Sequence, residues 1–93
     1  MIDYSTIDGV ISSWVTKHRL ILYTLYQDQE VRSVDVVSPK GRKFQIWIDP
    51  PNGDNVAVHA WDYKKRRRDW KGAGGNLSRY LEQALQTVTA WMN

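Results

Sequence analysis

The 93-residue sequence contains no cysteine, a single phenylalanine and three prolines. Without cysteine, the chain has neither disulfides nor thiolate metal sites, which is the pattern expected in a reducing compartment. It also has no run of about 18 apolar residues, so we expect no membrane-spanning helix. Its first residues, Met-Ile-Asp-Tyr-Ser, lack the basic and apolar segments of a signal peptide, and we therefore expect a cytoplasmic protein.

Sequence motifs for catalysis and for metal binding are also missing. The two histidines, His18 and His59, do not form a His-Glu-x-x-His motif, and neither Gly-x-Ser-x-Gly nor a Walker glycine loop occurs. The aspartates fall mostly in predicted turns and caps, where local hydrogen bonding favours them. We therefore predict a protein that is not an enzyme and has no catalytic residues, metal site or cofactor. His18 is expected to be a helix-capping or half-buried residue.

The composition, with 42% hydrophobic and 25% charged residues, is that of a folded single domain spanning residues 1–93. Apolar residues at helical spacing predict a first helix over residues 5–18, with Ser5 or Thr6 as its N-cap. Gly9 within it suggests either a later start or close packing. A second helix is predicted over residues 77–91, with Asn76 as its N-cap.

Between the helices, β-branched and aromatic residues predict strands at 20–26, 31–37, 43–49 and 55–63. Residues 27–30 are expected to connect the first two strands as a hairpin loop. The order of the elements, α-β-β-β-β-α, predicts an α+β two-layer sandwich. In this fold a four-stranded antiparallel meander carries both helices on one face.

The register of the meander follows from the Pro39-Lys40-Gly41 loop. A three-residue loop places Val34 opposite Ile46, whereas a two-residue loop would bury the carboxylate of Asp35. Extending this alternation predicts the following core face: Ile21, Tyr23, Leu25, Val34, Val36, Phe44, Ile46, Ile48, Val56, Val58 and Ala60. The opposite, outer face is predicted to carry Leu20, Leu22, Tyr26, Val31, Val37, Trp47, His59, Trp61 and Tyr63.

This outer face is too apolar to be wholly solvated, and such patches typically mark interaction surfaces. Tryptophan and tyrosine are also enriched among the residues that dominate binding energies. We predict an aromatic contact surface formed by Trp47, His59, Trp61, Tyr63 and Trp70. The alternatives are that a long loop or a chain end covers the face, or that a second copy covers it in a homodimer.

A basic segment lies between the last predicted strand and the last helix, and contains six of the thirteen lysines and arginines. A glycine-rich stretch then leads to Asn76 at the predicted helix start. Since helix starts carry partial positive charge and unpaired N–H groups, we predict an anion site here. Its residues are Lys64, Lys65, Arg66, Arg67, Arg68 and Lys71. The alternative is a loop that simply keeps its charges in water.

Two functions fit these surfaces. The first is binding of an anionic partner, with nucleic acid favoured, through cations on phosphates and aromatic rings on bases. The second is binding to a protein with an acidic surface, as an antagonist such as a bacterial immunity protein or a phage-encoded inhibitor of a host defence system.

The order of elements, with a basic segment before the last helix, resembles the double-stranded RNA-binding domain in topology. That family opens its last helix with Ser-Lys-Lys, whereas this chain has Asn76-Leu-Ser-Arg79 and an extra strand. The resemblance therefore implies at most a similar arrangement of helices and strands, with RNA as a partner class.

Overall fold

The computed structural model describes residues 2–93, which form two α-helices, a short 3₁₀ turn and one antiparallel sheet of five strands in sequential order. The elements are α1 (Tyr4–His18), β1 (Leu22–Tyr26), β2 (Gln29–Val37), β3 (Lys43–Ile48), β4 (Asn55–Trp61), β5 (Arg67–Ala73), the 3₁₀ turn (Gly74–Asn76) and α2 (Leu77–Trp91). The α+β class and the helix–strands–helix order are confirmed, but the sheet has five strands and not four.

Helix α1 begins with a capping box. The Asp3 carboxylate accepts a hydrogen bond from the Thr6 backbone N–H at 3.1 Å, and the Thr6 hydroxyl accepts one from the Asp3 N–H. Asp3 is therefore the N-cap, and the prediction of Ser5 or Thr6 was wrong. Gly9 lies within the helix, and no atom approaches within 4 Å of where its Cβ would be. The helix therefore does not begin after Gly9, and nothing packs closely against this glycine, so both suggested explanations were wrong.

The β2–β3 hairpin has the predicted register. Val34 lies opposite Ile46, and Val36 lies opposite Phe44. The loop closes with a hydrogen bond from the Ser38 N–H to the Arg42 carbonyl, and Gly41 adopts a φ of 83°, which suits glycine. The three-residue loop is confirmed, and with it the faces of β3 and β4.

The β1–β2 hairpin differs from the prediction. It turns on two residues, Gln27 and Asp28, whose φ angles are both positive, as in a type I′ turn. Earlier in β1, the pairing with β2 is irregular between Tyr23 and Leu25. The predicted loop of residues 27–30 was therefore wrong, and Leu22 pairs with Val34.

The different pairing reverses the predicted faces of residues 20–23, as a one-residue slip must, whereas Tyr26, beyond the irregularity, lies on the outer face as predicted. Leu20 and Leu22, predicted on the outer face, pack against the core. Ile21, Tyr23 and Leu25, predicted in the core, are exposed, with 68% of Ile21 accessible. The outer face therefore gains a tyrosine that the sequence prediction had placed inside.

Strand β5 was predicted as a loop. It pairs antiparallel with β4 and places Trp70 opposite Val58 on the core face. Trp70 is only 8% exposed, so its assignment to the aromatic contact surface was wrong. Arg67, Asp69 and Lys71 alternate with it and lie on the outer face.

One buried cluster joins both helices to the same face of the sheet. Helix α2 has the predicted bounds, and its buried residues are Leu77, Tyr80, Leu81, Ala84 and Val88. Asn76 precedes α2 but its side chain makes no capping hydrogen bond, because the 3₁₀ turn leads into the helix. Neither helix of residues 2–93 is long and apolar enough to span a membrane.

A buried arginine ties β2 to α1. Arg32 donates from Nε and Nη2 to the two carboxylate oxygens of Asp8, at 2.7 and 3.1 Å, and from Nη2 to Glu30 at 2.8 Å. Its guanidinium also lies over the ring of Tyr4, 4.3 Å from the centroid. A bidentate pair with a buried arginine fixes geometry as well as contributing energy.

Candidate functional site

The register of the sheet arranges the outer-face side chains in rows that cross the strands. One row runs from β1 to β5 through Tyr23, Ser33, Trp47, His59 and Asp69. The next runs from β2 to β5 through Asp35, Gln45, Trp61 and Arg67. Aromatic side chains thus stand beside polar ones in the centre of an exposed face.

These rows border a groove of about 640 Å³, which we call the outer groove. Its lining is Tyr23, Leu25, Tyr26, Val31, Ser33, Asp35, Gln45, Trp47, Trp61 and Tyr63. Trp61 and Tyr63 pack with ring centroids 4.6 Å apart at an interplanar angle of 43°. The structure thus brings together three of the predicted contact residues, Trp47, Trp61 and Tyr63, and adds Tyr23 and Tyr26.

Tyr63 follows the end of β4 and turns back over the sheet. Its φ of 63° lies in the left-handed region, which costs a non-glycine residue about 1–2 kcal/mol. Its hydroxyl donates to Asp35 Oδ1 at 2.6 Å, which holds the ring at the groove. Burial, together with this carboxylate, raises the pKa of Tyr63 to about 12.

The polar part of the outer groove includes two acceptors, the Asp35 carboxylate and the Gln45 amide oxygen. The Asp35 carboxylate is 23% exposed, and its Oδ2 lies 4.0 Å from Lys43 Nζ. Gln45 donates one side-chain N–H to the Ser33 hydroxyl at 3.0 Å, which leaves its amide oxygen as an acceptor and its second N–H as a donor.

His59 lies beside the groove between two carboxylates. Its Nδ1 is 2.5 Å from Asp69 Oδ1, and its Nε2 is 2.7 Å from Asp49 Oδ2. Because ionised carboxylates only accept, both contacts are hydrogen bonds only when the ring carries both protons. The contact with His59, followed by that with Arg67, lowers the pKa of Asp69.

The predicted role of His59 as a contact residue is therefore corrected. It is 4% exposed, and both ring nitrogens already have partners. Its ring stacks on Trp47 with centroids 4.8 Å apart and an interplanar angle of 23°. His59 thus supports the orientation of Trp47 and leaves the contact surface itself to the aromatic residues.

The basic residues divide between a loop and a strand. Lys64, Lys65 and Arg66 belong to the β4–β5 loop, and the other three lie on β5. The predicted anion site at the start of α2 is not formed as proposed, because the remainder of β5 and the 3₁₀ turn separate residues 64–68 from that helix. The cations instead follow one edge of the sheet.

Individual side chains of β5 point to different faces. The Arg67 guanidinium lies 5.3 Å from the ring centroid of Trp47, next to the outer groove, and its Nε donates to Asp69 at 3.1 Å. Arg68 instead lies over Trp70, at 5.2 Å. Of these two arginines, only Arg67 extends the outer groove.

Asp62 organises the β4–β5 loop. This buried carboxylate accepts hydrogen bonds from the backbone N–H groups of Lys64 at 2.8 Å and Arg66 at 3.0 Å, and pairs with Arg42. Burial acts to raise the pKa of Asp62, but these hydrogen bonds and the Arg42 charge outweigh it and lower the pKa. The run of aspartate and cations in the sequence did not reveal this role.

His18 is half-buried, as predicted, but it has an acidic partner that the local sequence could not show. Its Nε2 lies 2.6 Å from Glu82 Oε1 of α2, and this contact lowers the pKa of Glu82. The pair joins the two helices on the side of the protein opposite the outer groove. Within residues 2–93, no group of histidine and acidic side chains is placed to hold a metal ion.

Comparison with protein-family models, curated proteins and solved structures finds no match for this chain.

Proposed function

We propose that this protein is a non-catalytic binding module that holds a single-stranded nucleic acid across the outer face of its sheet. The observation that carries the proposal is the outer groove, with five aromatic side chains and a border of cations. Proteins that bind single strands combine these two features, aromatic side chains for stacking and positive charge along the backbone path.

The aromatic residues supply sequence-tolerant contacts. Every base has a π-face, and stacking on an aromatic side chain contributes about 1–3 kcal/mol per base. Trp61 and Trp47 lie in adjacent rows of the sheet, Tyr23 begins the row of Trp47, and Tyr63 packs against Trp61. Because paired bases hide their faces within the helix, this surface suits unpaired bases better than a duplex.

The cations supply the phosphate contacts. Lys43 and Arg67 border the outer groove and are more than half exposed, and the loop cations Lys64, Lys65 and Arg66 are exposed beyond them. For a single strand, each neutralised phosphate contributes about −0.7 to the slope of log affinity against log salt. Contacts with about five phosphates would therefore give a slope of about −3.5.

A protein antagonist is the second candidate, and exposed apolar residues around β1 favour it. Ile21 and Leu25 are both about two-thirds exposed, and Val37 is also exposed. A nucleic acid gains little from aliphatic side chains, whereas a protein partner would bury them. Such an interface would depend mainly on its aromatic residues and only weakly on salt.

The two candidates are distinguished by measuring the binding of fluorescein-labelled uridine hexamers by fluorescence anisotropy over a range of salt concentrations. The test variant changes Lys64, Lys65 and Arg66 to glutamine. The control variant makes the same change at Lys17, Arg19 and Arg79, which lie on or next to the helices and alter the net charge equally.

We expect the loop variant to have a slope shallower by about 2 than the wild type, because three phosphate contacts are lost. The control variant should keep the wild-type slope. Equal slopes in all three proteins would show that the loop does not contact phosphates. If the wild type binds no oligonucleotide, the proposal is refuted.

A further inference from the structure

We propose that the outer groove selects guanine among the bases. This inference rests on the proposed function, and it concerns the chemistry of the groove's polar residues. They include two acceptors, the Asp35 carboxylate at the Tyr63 hydroxyl and the Gln45 amide oxygen beside Trp61.

The Asp35 carboxylate has room for further donors. An ionised carboxylate has about four lone-pair positions, and the Tyr63 hydroxyl occupies one of them on Oδ1. Lys43 Nζ, at 4.0 Å from Oδ2, is an ionic neighbour beyond hydrogen-bond distance. A ligand in the groove can therefore donate to both oxygens of Asp35.

Guanine is the base whose Watson–Crick edge matches this arrangement. Its N1–H and its exocyclic amino group are adjacent donors, spaced to meet the two oxygens of a carboxylate. Adenine and cytosine each place a ring acceptor beside their amino group, and uracil has a single N–H between two carbonyls. An acceptor directed at Asp35 would be repelled, so these bases lose both a hydrogen bond and favourable electrostatics.

A cationic side chain from a protein partner would also suit a carboxylate among aromatic rings. The surroundings of the outer groove oppose it, because Lys43 and Arg67 already stand at its border and the loop cations lie next to them. A guanine nucleotide combines a neutral ring that donates to Asp35 with a phosphate that the same cations attract. Charge complementarity therefore favours the nucleotide.

The test uses labelled uridine-rich hexamers that contain a single guanosine, adenosine, cytidine or inosine, with dissociation constants measured by anisotropy. Wild-type protein is compared with Asp35→Asn. The matched control is Asp28→Asn in the β1–β2 turn, which changes the charge equally away from the outer groove. The new asparagine can still accept the Tyr63 hydroxyl, and near-ultraviolet circular dichroism checks that the aromatic packing is kept.

We expect the wild type to bind the guanosine hexamer about tenfold more tightly than the adenosine hexamer, as a bidentate base contact implies. Inosine, which lacks the exocyclic amino group, should bind more weakly than guanosine. The preference should disappear in Asp35→Asn and persist in Asp28→Asn.

Other outcomes overturn the inference in distinguishable ways. Equal binding of all four hexamers by the wild type, or a guanosine preference that survives in Asp35→Asn, refutes guanine selection and leaves the proposed function standing. Failure to bind any hexamer refutes both, as does exclusive binding of an arginine- or lysine-containing peptide in the same assay.

Discussion

Replacing Gly72 by alanine tests whether β5 packs against α2 as closely as the structure shows. A Cβ at this position would lie 2.2 Å from Tyr80 Oη and 3.3 Å from Cζ. The Tyr80 ring is buried and its hydroxyl donates to the Lys71 carbonyl at 3.3 Å, so the ring has little freedom to move aside. Overpacking of this kind costs about 1–3 kcal/mol.

A second effect acts in the opposite direction. Alanine restricts the unfolded chain more than glycine does, which stabilises the folded state by about 0.4–1 kcal/mol where the backbone is compatible. The steric overlap is the larger of the two effects. We therefore expect Gly72→Ala to lower the free energy of unfolding by about 1–2 kcal/mol, measured by urea denaturation with tryptophan fluorescence.

Tyr80→Phe provides the decisive comparison, because it removes the overlapping oxygen and leaves Cζ as the nearest atom, at 3.3 Å. Alone, it loses one long hydrogen bond, at a cost of about 1 kcal/mol or less. In this background Gly72→Ala should be close to neutral, so the double-mutant cycle should show a coupling of at least about 1 kcal/mol. An equal loss in both backgrounds would contradict the placement of β5, and with it the position of the basic edge.

Two further predictions concern ionisable side chains. Asp8→Ala should lower the free energy of unfolding by about 2 kcal/mol, because buried Arg32 loses two charge-assisted hydrogen bonds. Glu30→Ala, at an exposed position, should lower it by less than about 1 kcal/mol. Equal losses for the two variants in urea denaturation would refute the stronger role given to Asp8. The folded-state pKa of Tyr63, about 12, lies above its unfolded value of 10.0, so its contribution to stability is complete below pH 10 and is lost as the pH rises towards 12. The pKa of Tyr4 is also raised to about 12, so two tyrosines should ionise late in an ultraviolet absorbance titration of the wild type. Tyr63→Phe should leave one of them. A late absorbance change of unaltered size would contradict the raised pKa of Tyr63.

The sequence predicted the regular parts of the fold where periodicity and loop chemistry agreed. The Pro39-Lys40-Gly41 loop determined the β2–β3 register, and alternation then placed Trp47 and Trp61 on the outer face. The β1–β2 connection lacked such a signal, because Gln27-Asp28 is not the Asn-Gly or Asp-Gly pair that usually marks a type I′ turn. A one-residue error there was enough to reverse the predicted faces of residues 20–23.

Strand β5 was missed because charge concealed its alternation. Four of its seven residues are charged, which resembles a solvated loop, yet Trp70 and Gly72 alternate towards the helices while Asp69 and Lys71 alternate outward. Such composition is typical of an edge strand that avoids pairing with another chain. Recognising that Trp70 occupied an inward position would have shown that the segment belongs to the sheet.

The site was only partly predictable for a different reason. The aromatic residues could be assigned by strand parity, but the contacts that hold them join distant parts of the chain. Tyr63 reaches Asp35, and His59 bridges Asp49 and Asp69 across neighbouring strands. Side-chain contacts of this kind depend on the final register and on loop geometry, neither of which composition specifies.

The hydrogen bonds that Asp62 accepts from the backbone of the β4–β5 loop also determine what the loop brings to an encounter with a partner. Ordering a flexible backbone costs about 1–2 kcal/mol per residue. Because Lys64 and Arg66 are already tied to a buried carboxylate, that loss of entropy occurs when the protein folds and not when a partner arrives. The loop is thus preorganised, and association has to restrict only the long side chains of its cations.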